Sequence, residues 1–191
     1  RAMIMVGGGG AVLQAIGGKR ERMIRRTREC LEILKGASPD KMMNYNGELY
    51  KVWGYQPKWY TDTPPLIYFG SNHPQSRKLS TELADGLITS DFVVPLMKDF
   101  IDKAHAELKA AGRSPRDFRI SNFWAWHIKK DPAASMREAR RELMLRGWLG
   151  EQYFRPFLDA DEVQLMRAHE KGKGIDFKEV YGKDHSDSFL L

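Results

Sequence analysis

Residues 64–90 read PPLIYFGSNHPQSRKLSTELADGLITS, and this stretch decides the fold. A short apolar strand, Leu66 to Phe69, runs into a polar turn at residues 70–73. Pro74 then favours the first turn of an amphipathic helix, which leads to a second apolar strand, Leu87 to Thr89. The stretch therefore predicts a crossover between two parallel strands, with a polar turn where α/β proteins commonly bind ligands.

Strand and helix signals also precede this unit. The apolar run Ala2 to Val6 predicts a buried strand, and the four glycines Gly7 to Gly10 follow it. Apolar positions at helical spacing predict a helix from Lys19 to Lys35, with Gly36 as its stop signal. The glycines at the end of the first strand would let backbone approach a ligand closely.

The pattern continues after the crossover. Asp91 is expected to cap a helix that Gly112 ends, and Phe118 to Ile128 is the next strand candidate. The pair Asp131-Pro132 predicts the start of another helix, whereas residues 172–191 read as a loose tail. Alternating strands and helices favour a parallel sheet covered by helices, either an open doubly wound sheet or half of a barrel.

Residues 37–63 depart from this alternation. The turn signal Asn46-Gly47 lies between two short aromatic runs, which predicts a hairpin or a long loop. Its aromatic cluster is suited to a lid or to an oligomer contact and comprises Trp53, Tyr55, Trp59 and Tyr60.

Composition narrows the class of protein. The chain has 191 residues, 42% hydrophobic and 29% charged, as expected for a single globular domain over residues 1–191. The lone cysteine, Cys30, indicates a reducing cytoplasmic setting and reads as a core thiol. No apolar run predicts a membrane span, and no histidine spacing predicts a metal site. The net charge of +6 is spread along the chain, which disfavours nucleic acid and suits small anionic ligands.

Three segments resemble the luciferase-like flavin or deazaflavin oxidoreductases, the family of bacterial luciferase and methylene-tetrahydromethanopterin reductase. They are Val6 to Leu34 with its glycine-rich start and CLEILKG, Pro65 to Ser90, and Ala110 to Pro132 with AAGRSPRDFRI. The phrase ELADGLITS, residues 82–90, is the most specific piece. Order and spacing match across about two-thirds of the chain.

The resemblance implies a partial (β/α)8 barrel whose visible strands correspond to the fourth through seventh. A complete barrel needs about 250 residues. A half barrel would expose sheet edges and inner-face apolar residues, so missing segments or a homodimer partner are expected to cover them.

The resemblance also implies where a cofactor, FMN or coenzyme F-420, would bind. Its ring would lie beside the glycine run, and its phosphate would lie near the loops after the two strands of the crossover. The implied cofactor-binding residues are Gly8, Gly9, Gly10, Gly70, Ser71, Asn72, His73, Thr89 and Ser90. The Ser71 and Thr89 hydroxyls and the backbone N–H groups at the helix start could donate to phosphate oxygens.

Two departures qualify the implied chemistry. Many relatives have Gly-Gly where this chain has Asn72-His73, and the bulkier imidazole could fill the phosphate pocket or add charge. Deazaflavin-dependent sugar-phosphate dehydrogenases of the family carry a proton-transferring glutamate at the position of Gly10, whose lack here argues against that chemistry. Trp124, Trp126 and His127 could line a substrate pocket or serve as core and rim packing.

The function implied is a flavin- or F-420-dependent oxidoreductase or monooxygenase that acts on a small molecule at the barrel mouth. It would transfer a hydride or activate oxygen. The residues that donate catalytic protons are expected from the earlier strands, so none is assigned here. The alternative is a non-catalytic flavin-binding or structural relative with a reduced barrel.

Overall fold

A computed structural model describes residues 2–8, 13, 16–19, 21–58, 63–124, 126–146 and 156–164. Two compact units divide the chain, one within Arg1–Trp124 and one within Ala125–Leu191. In chain order the strands are β1 (Met3–Gly7), β2 (Met43–Asn46), β3 (Lys51–Tyr55), β4 (Leu66–Gly70), β5 (Gly86–Ser90) and β6 (Arg119–Phe123), and the helices are α1 (Met23–Gly36), α2 (Pro74–Leu83), α3 (Val94–Ala110) and α4 (Pro132–Arg146).

The main sheet of the first unit has four strands in the order β1-β4-β5-β6. All neighbouring pairs are parallel, with Met5 opposite Tyr68, Phe69 opposite Leu87, and Ile88 opposite Ser121. Each strand lies beside the next parallel strand along the chain, as in a (β/α)8 barrel, and the order never reverses as it does in a doubly wound sheet. The sheet order therefore decides between the two architectures that the sequence pattern leaves open.

Burial differs between the middle and the margins of this sheet. Ile67 and Phe69 on β4 are each only 2% exposed, because the middle strands are covered. On β1, Met3 and Met5 are 54% and 60% exposed, and Phe123 on β6 is 60% exposed. Within the described residues, the sheet thus presents apolar side chains at both margins, as expected for a half barrel.

The core lies between the sheet and its first two helices. Leu31 of α1 is fully buried and packs in a cluster with Ile67, Phe69, Leu79 and Ala84. This cluster fixes α1 and α2 against β4, the strand that leads into the polar turn. None of the described helices is long and apolar enough to cross a bilayer.

The cap of α3 differs from the sequence prediction. Asp91 has a left-handed φ of 52°, and its backbone N–H donates to the Phe123 carbonyl at 2.9 Å. The helix begins at Val94 with Val93 at the cap position and no side-chain cap. The prediction that Asp91 caps this helix is therefore wrong, because the residue closes a turn after β5 instead.

Two further boundaries depend on local contacts. The last strand, predicted to reach Ile128, ends at Phe123. Asp131 caps α4 as predicted, since its carboxylate accepts the N–H groups of Ala133 and Ala134 at 2.9 and 3.2 Å.

Strands β2 and β3 form an antiparallel hairpin between α1 and β4. The hairpin turn is held by a buried side chain of α1, because the Glu29 carboxylate accepts the backbone N–H groups of Glu48, Leu49 and Tyr50 at 2.9 to 3.0 Å. A Cβ at Gly47 would overlap this carboxylate, so glycine is required at that turn position.

Helix α2 is anchored along its length. Arg77, which is buried, pairs with Glu107 of α3 at 2.8 Å and lies over the Phe100 ring. At the other end, the Arg113 guanidinium donates to the carbonyls of Thr81 and Ala84, both at 2.7 Å. These contacts give the N-terminus of α2 a defined position at the sheet edge.

Candidate functional site

The carboxyl ends of β1, β4, β5 and β6 lie along one edge of the main sheet, called the mouth edge below. The strand register sets Gly7 opposite Gly70 and Ser90 opposite Phe123. Because parallel strands end at a common edge, the loops that follow them are brought together. The predicted site residues found at this edge are Gly8, Gly70, Ser71, Asn72, His73, Thr89 and Ser90. Gly9 and Gly10, also predicted, lie outside the described residues.

The turn after β4 is ordered by its own backbone. The Ser71 N–H donates to the Ile88 carbonyl at 2.9 Å, which holds the turn to β5. The Ser71 hydroxyl oxygen accepts the His73 N–H at 3.2 Å. A hydroxyl can accept and donate at once, so its proton is available to donate to a ligand oxygen.

The start of α2 adjoins this turn. His73 occupies the cap position with extended backbone, φ −90° and ψ 145°, and no side chain caps the helix. Pro74 carries no N–H, and the first turn contains no acidic residue. The N–H groups of Gln75 and Ser76 therefore lie where an α-helix favours an anion.

Asn72 contacts the next strand rather than open solvent. Its side-chain Nδ2 donates to the Ser90 carbonyl at 2.7 Å, and its Oδ1 accepts the Ser90 N–H at 3.0 Å. Both sides of the amide are thus engaged with one residue. The structure assigns Asn72 a contact that holds the loop after β4 to the end of β5.

The Thr89 hydroxyl is engaged inside the fold. Thr89 is fully buried, and its Oγ1 donates to Asn122 Oδ1 at 2.9 Å with the Ser121 carbonyl at 3.3 Å. This hydroxyl was predicted as a phosphate donor from the sequence, but its proton is directed to the neighbouring strand. Among the predicted site residues of the mouth edge that the structure describes, the remaining hydroxyl groups are those of Ser71 and of the exposed Ser90.

Asn122 is the residue of this region that the sequence did not indicate. Besides Thr89, its side chain contacts both backbone groups of Phe92, accepting the N–H at 3.2 Å and donating to the carbonyl at 2.9 Å. One signal in the sequence could have indicated it. Asn122 is an amide residue within a strand-like run, and a buried amide side chain is expected to have hydrogen-bonding partners.

The residues after β6 lie in the second unit from Ala125 onward. Trp126 is 79% exposed, and His127 Nδ1 lies 3.5 Å from Glu138 Oε1. A hydrogen bond from Lys129 lowers the pKa of Glu138 despite its partial desolvation, and His127 adds to the effect. For Trp124, Trp126 and His127, the lining of a substrate pocket and the packing of core and rim both stay predictions.

The Cys30 thiol and the side chains that could bind a metal ion are two further groups with possible chemistry. Burial raises the pKa of the Cys30 thiol, which disfavours a nucleophile, and the residue is partly exposed rather than part of the buried core. Within the part of the chain that the structure describes, no group of three or more His, Cys, Asp or Glu side chains could hold a metal ion.

Comparison with known proteins gives the family. The model of the luciferase-like monooxygenase family matches residues 1–187. The 5,10-methylenetetrahydromethanopterin reductase of Archaeoglobus fulgidus is 31% identical over 146 residues, which cover 73% of this chain and 42% of the reductase.

Two solved structures share the fold. One is a coenzyme F-420-dependent secondary alcohol dehydrogenase in complex with an F-420-acetone adduct, which matches with a TM-score of 0.64 at 21% identity. The match covers 86% of this chain and 51% of the dehydrogenase. The coenzyme F-420-dependent tetrahydromethanopterin reductase of Methanopyrus kandleri has a TM-score of 0.59 at 20% identity and is covered to 59%, with 98% of this chain aligned. The chain thus spans about half the length of the proteins it matches.

Proposed function

The chain belongs to the luciferase-like monooxygenase family, and we propose that its mouth edge binds the phosphate of FMN or coenzyme F-420 in an oxidoreductase. The observation that carries the proposal is the combination of an uncapped α2 N-terminus with the Ser71 hydroxyl beside it. Relatives that use coenzyme F-420 support the cofactor class.

The donor set fits a phosphate group. Backbone N–H groups at the helix start and one hydroxyl supply neutral donors, and no acidic residue of the first turn opposes an anion. A Cβ at Gly70 would lie in ordinary contact with protein atoms, the nearest being the Val6 carbonyl oxygen at 3.6 Å. Ser71, Gln75 and Ser76 would hold the phosphate, and Gly8 and Gly70 would let the backbone approach the rest of the cofactor.

The cofactor and the described residues would have different roles in the reaction. When bound, the cofactor supplies hydride transfer or, as reduced flavin, reaction with oxygen. The described residues bind and orient it at the mouth edge. We propose that proton transfer depends on residues outside this half of the barrel.

The test uses the intact polypeptide that carries this chain. We expect titration with FMN and with F-420 to give saturable binding, read from cofactor absorbance or fluorescence. Turnover with the reduced cofactor would then support an oxidoreductase. Binding without turnover would support the non-catalytic relative instead, and lack of binding of either cofactor would contradict both assignments.

We expect Ser71→Ala to weaken cofactor binding about three- to tenfold, because one hydroxyl hydrogen bond to the phosphate is lost. The thermal unfolding midpoint should stay within about 2 °C, since Ser71 lies in a partly exposed turn. The dissociation constant and the midpoint are measured on the same preparations.

Ser114 provides a matched control. Its hydroxyl accepts the Arg116 N–H at 3.2 Å, the same contact that Ser71 makes with His73. Ser114 precedes β6, at the amino end of the strand, and so lies away from the mouth edge. Equal losses of affinity in Ser71→Ala and Ser114→Ala would count against the phosphate assignment.

The cellular location, the substrate class and the oligomeric state are also part of the proposal. We propose a cytoplasmic protein with a small-molecule substrate and a homodimeric state, without membrane or nucleic-acid partners. Support comes from the single cysteine and the dispersed charges. The exposed apolar margins of the main sheet, with Met5 and Phe123 each 60% exposed, agree with a covering partner.

A further inference from the structure

We infer that Asn72 and Asn122 act as paired amide clasps that set the spacing of the loops at the mouth edge, and that Asn72 is a positioning residue for the cofactor phosphate. The ligand part of this inference rests on the proposed function. The clasps themselves rest on contacts among the described residues.

The two asparagines use the same geometry. Asn72 pairs with the carbonyl and N–H of Ser90 at 2.7 and 3.0 Å, and Asn122 pairs with the carbonyl and N–H of Phe92 at 2.9 and 3.2 Å. An amide that both donates to and accepts from one residue fixes the orientation as well as the distance of that residue.

The clasps form a continuous path across three strands. Asn72 joins the loop after β4 to the last residue of β5, Ser90. The preceding residue, Thr89, donates its hydroxyl to Asn122 Oδ1 at 2.9 Å, and Asn122 lies on β6. The Asn72 contact lies beyond the end of β4–β5 pairing, whereas the Thr89–Asn122 contact lies between two residues that are paired in the β5–β6 ladder.

The first clasp lies past the backbone ladder. Pairing between β4 and β5 ends with Gly70 opposite Ile88, two residues before Ser90. Beyond that point, the Asn72 amide makes the two hydrogen bonds that join the loop after β4 to Ser90. Its loss should loosen the loop after Ser71, while the Ser71 N–H stays bonded to the Ile88 carbonyl and the ladder stays formed, so its effect is local.

The experiment compares Asn72→Ala, Asn72→Asp and Asn122→Asp with the unchanged protein, using the intact polypeptide. The readouts are hydrogen exchange at the Ser90 and Phe92 amides, the dissociation constants of FMN and F-420, and the thermal midpoint. In Asn72→Ala, we expect Ser90 exchange to rise about fivefold and affinity to fall about three- to tenfold. The midpoint should stay within about 2 °C.

The aspartate variants separate orientation from simple contact. Asn72→Asp keeps an acceptor for the Ser90 N–H but loses the donor and adds negative charge, so affinity should fall further than in Asn72→Ala while Ser90 protection is partly kept. Asn122→Asp should raise exchange at the Phe92 amide, because its carboxylate repels the Phe92 carbonyl. Asn44→Ala is the control, since it removes one amide contact to Gly54 on the hairpin and should change neither affinity nor Ser90 exchange.

Each outcome decides a separate point. Unchanged Ser90 exchange in Asn72→Ala would overturn the clasp. Faster Ser90 exchange with unchanged cofactor affinity would overturn the positioning role. If the unchanged protein binds neither cofactor, the proposed function and the positioning role both fail, whereas the exchange data still decide whether the clasp exists. A midpoint drop with faster exchange at all core amides would show a merely structural role.

Discussion

Replacing Leu31 by alanine is expected to lower the free energy of unfolding by about 2 to 5 kcal/mol, the range for truncating a buried leucine. Leu31 is 0% exposed and joins α1 to β4 through Ile67 and Phe69. Its removal leaves a cavity between these elements, which are too well anchored to close it. Urea unfolding monitored by tryptophan fluorescence measures the change.

Ile24 is the matched control for this substitution. It lies on the same helix, has a side chain of the same size, and is 37% exposed. Ile24→Ala should change stability by no more than about 0.5 kcal/mol, as for surface substitutions in general. Similar losses in the two variants would contradict the position of α1 against the sheet.

Replacing Glu29 by glutamine is expected to loosen the hairpin formed by β2 and β3. Glu29 has no exposed surface, and its carboxylate accepts three backbone N–H groups of the hairpin turn together with Arg25 Nε at 2.7 Å. Glutamine replaces one of the carboxylate oxygens by an NH2 group, which cannot accept a hydrogen bond from the backbone N–H groups. Hydrogen exchange at the Glu48, Leu49 and Tyr50 amides should rise about ten- to hundredfold.

The same residue predicts a pH dependence. Burial favours the neutral acid, but the N–H donors of Leu49, Tyr50 and Glu48, with Arg25, outweigh it and lower the pKa of Glu29 from 4.5 to about 2. A carboxyl group whose pKa is depressed in the folded state stabilises it fully above 4.5, and this contribution is lost as pH falls toward 2. The stability difference between the unchanged protein and Glu29→Gln should therefore shrink over that interval.

Glu48 supplies the control for the acid series. Its side chain lies in the same turn, is 51% exposed, and pairs with Arg22 and Arg25 at the surface. Glu48→Gln should alter stability little, because exposed ion pairs contribute about 0 to 1 kcal/mol. A stability difference for Glu29→Gln that stays constant from pH 7 to the acid limit would exclude the depressed pKa as its cause.

Much of the fold could be predicted from local patterns. The crossover from Leu66 to Thr89, the helix beginning at Pro74 and the cap at Asp131 follow from apolar periodicity and capping chemistry, which act between near neighbours in sequence. The Asp91 cap was wrong for a related reason. A capping residue type is also a turn residue, and contact with Phe123, 32 positions later, decides between the two roles.

The candidate site likewise has features that the sequence predicts and features that it does not. Gly70, Ser71 and the start of α2 could be placed at the mouth edge because a polar turn after a parallel strand always lies there. The contacts of Thr89 and Asn72 could not be predicted. Hydroxyl and amide groups hydrogen-bond ligands, backbone and side chains equally well, so sequence leaves their partners open.

The sequence by itself determined the alternation of strands and helices, the family and the polar turn after β4, because periodicity and turn chemistry are local properties of the chain. Only the tertiary structure decided the order β1-β4-β5-β6, the burial of Glu29 under the hairpin and the clasps made by Asn72 and Asn122. These features join residues 18 to 63 positions apart, such as Asn72 with Ser90 or Met3 with Leu66. Their energies depend on which elements pack together, and local sequence patterns carry no record of that pairing.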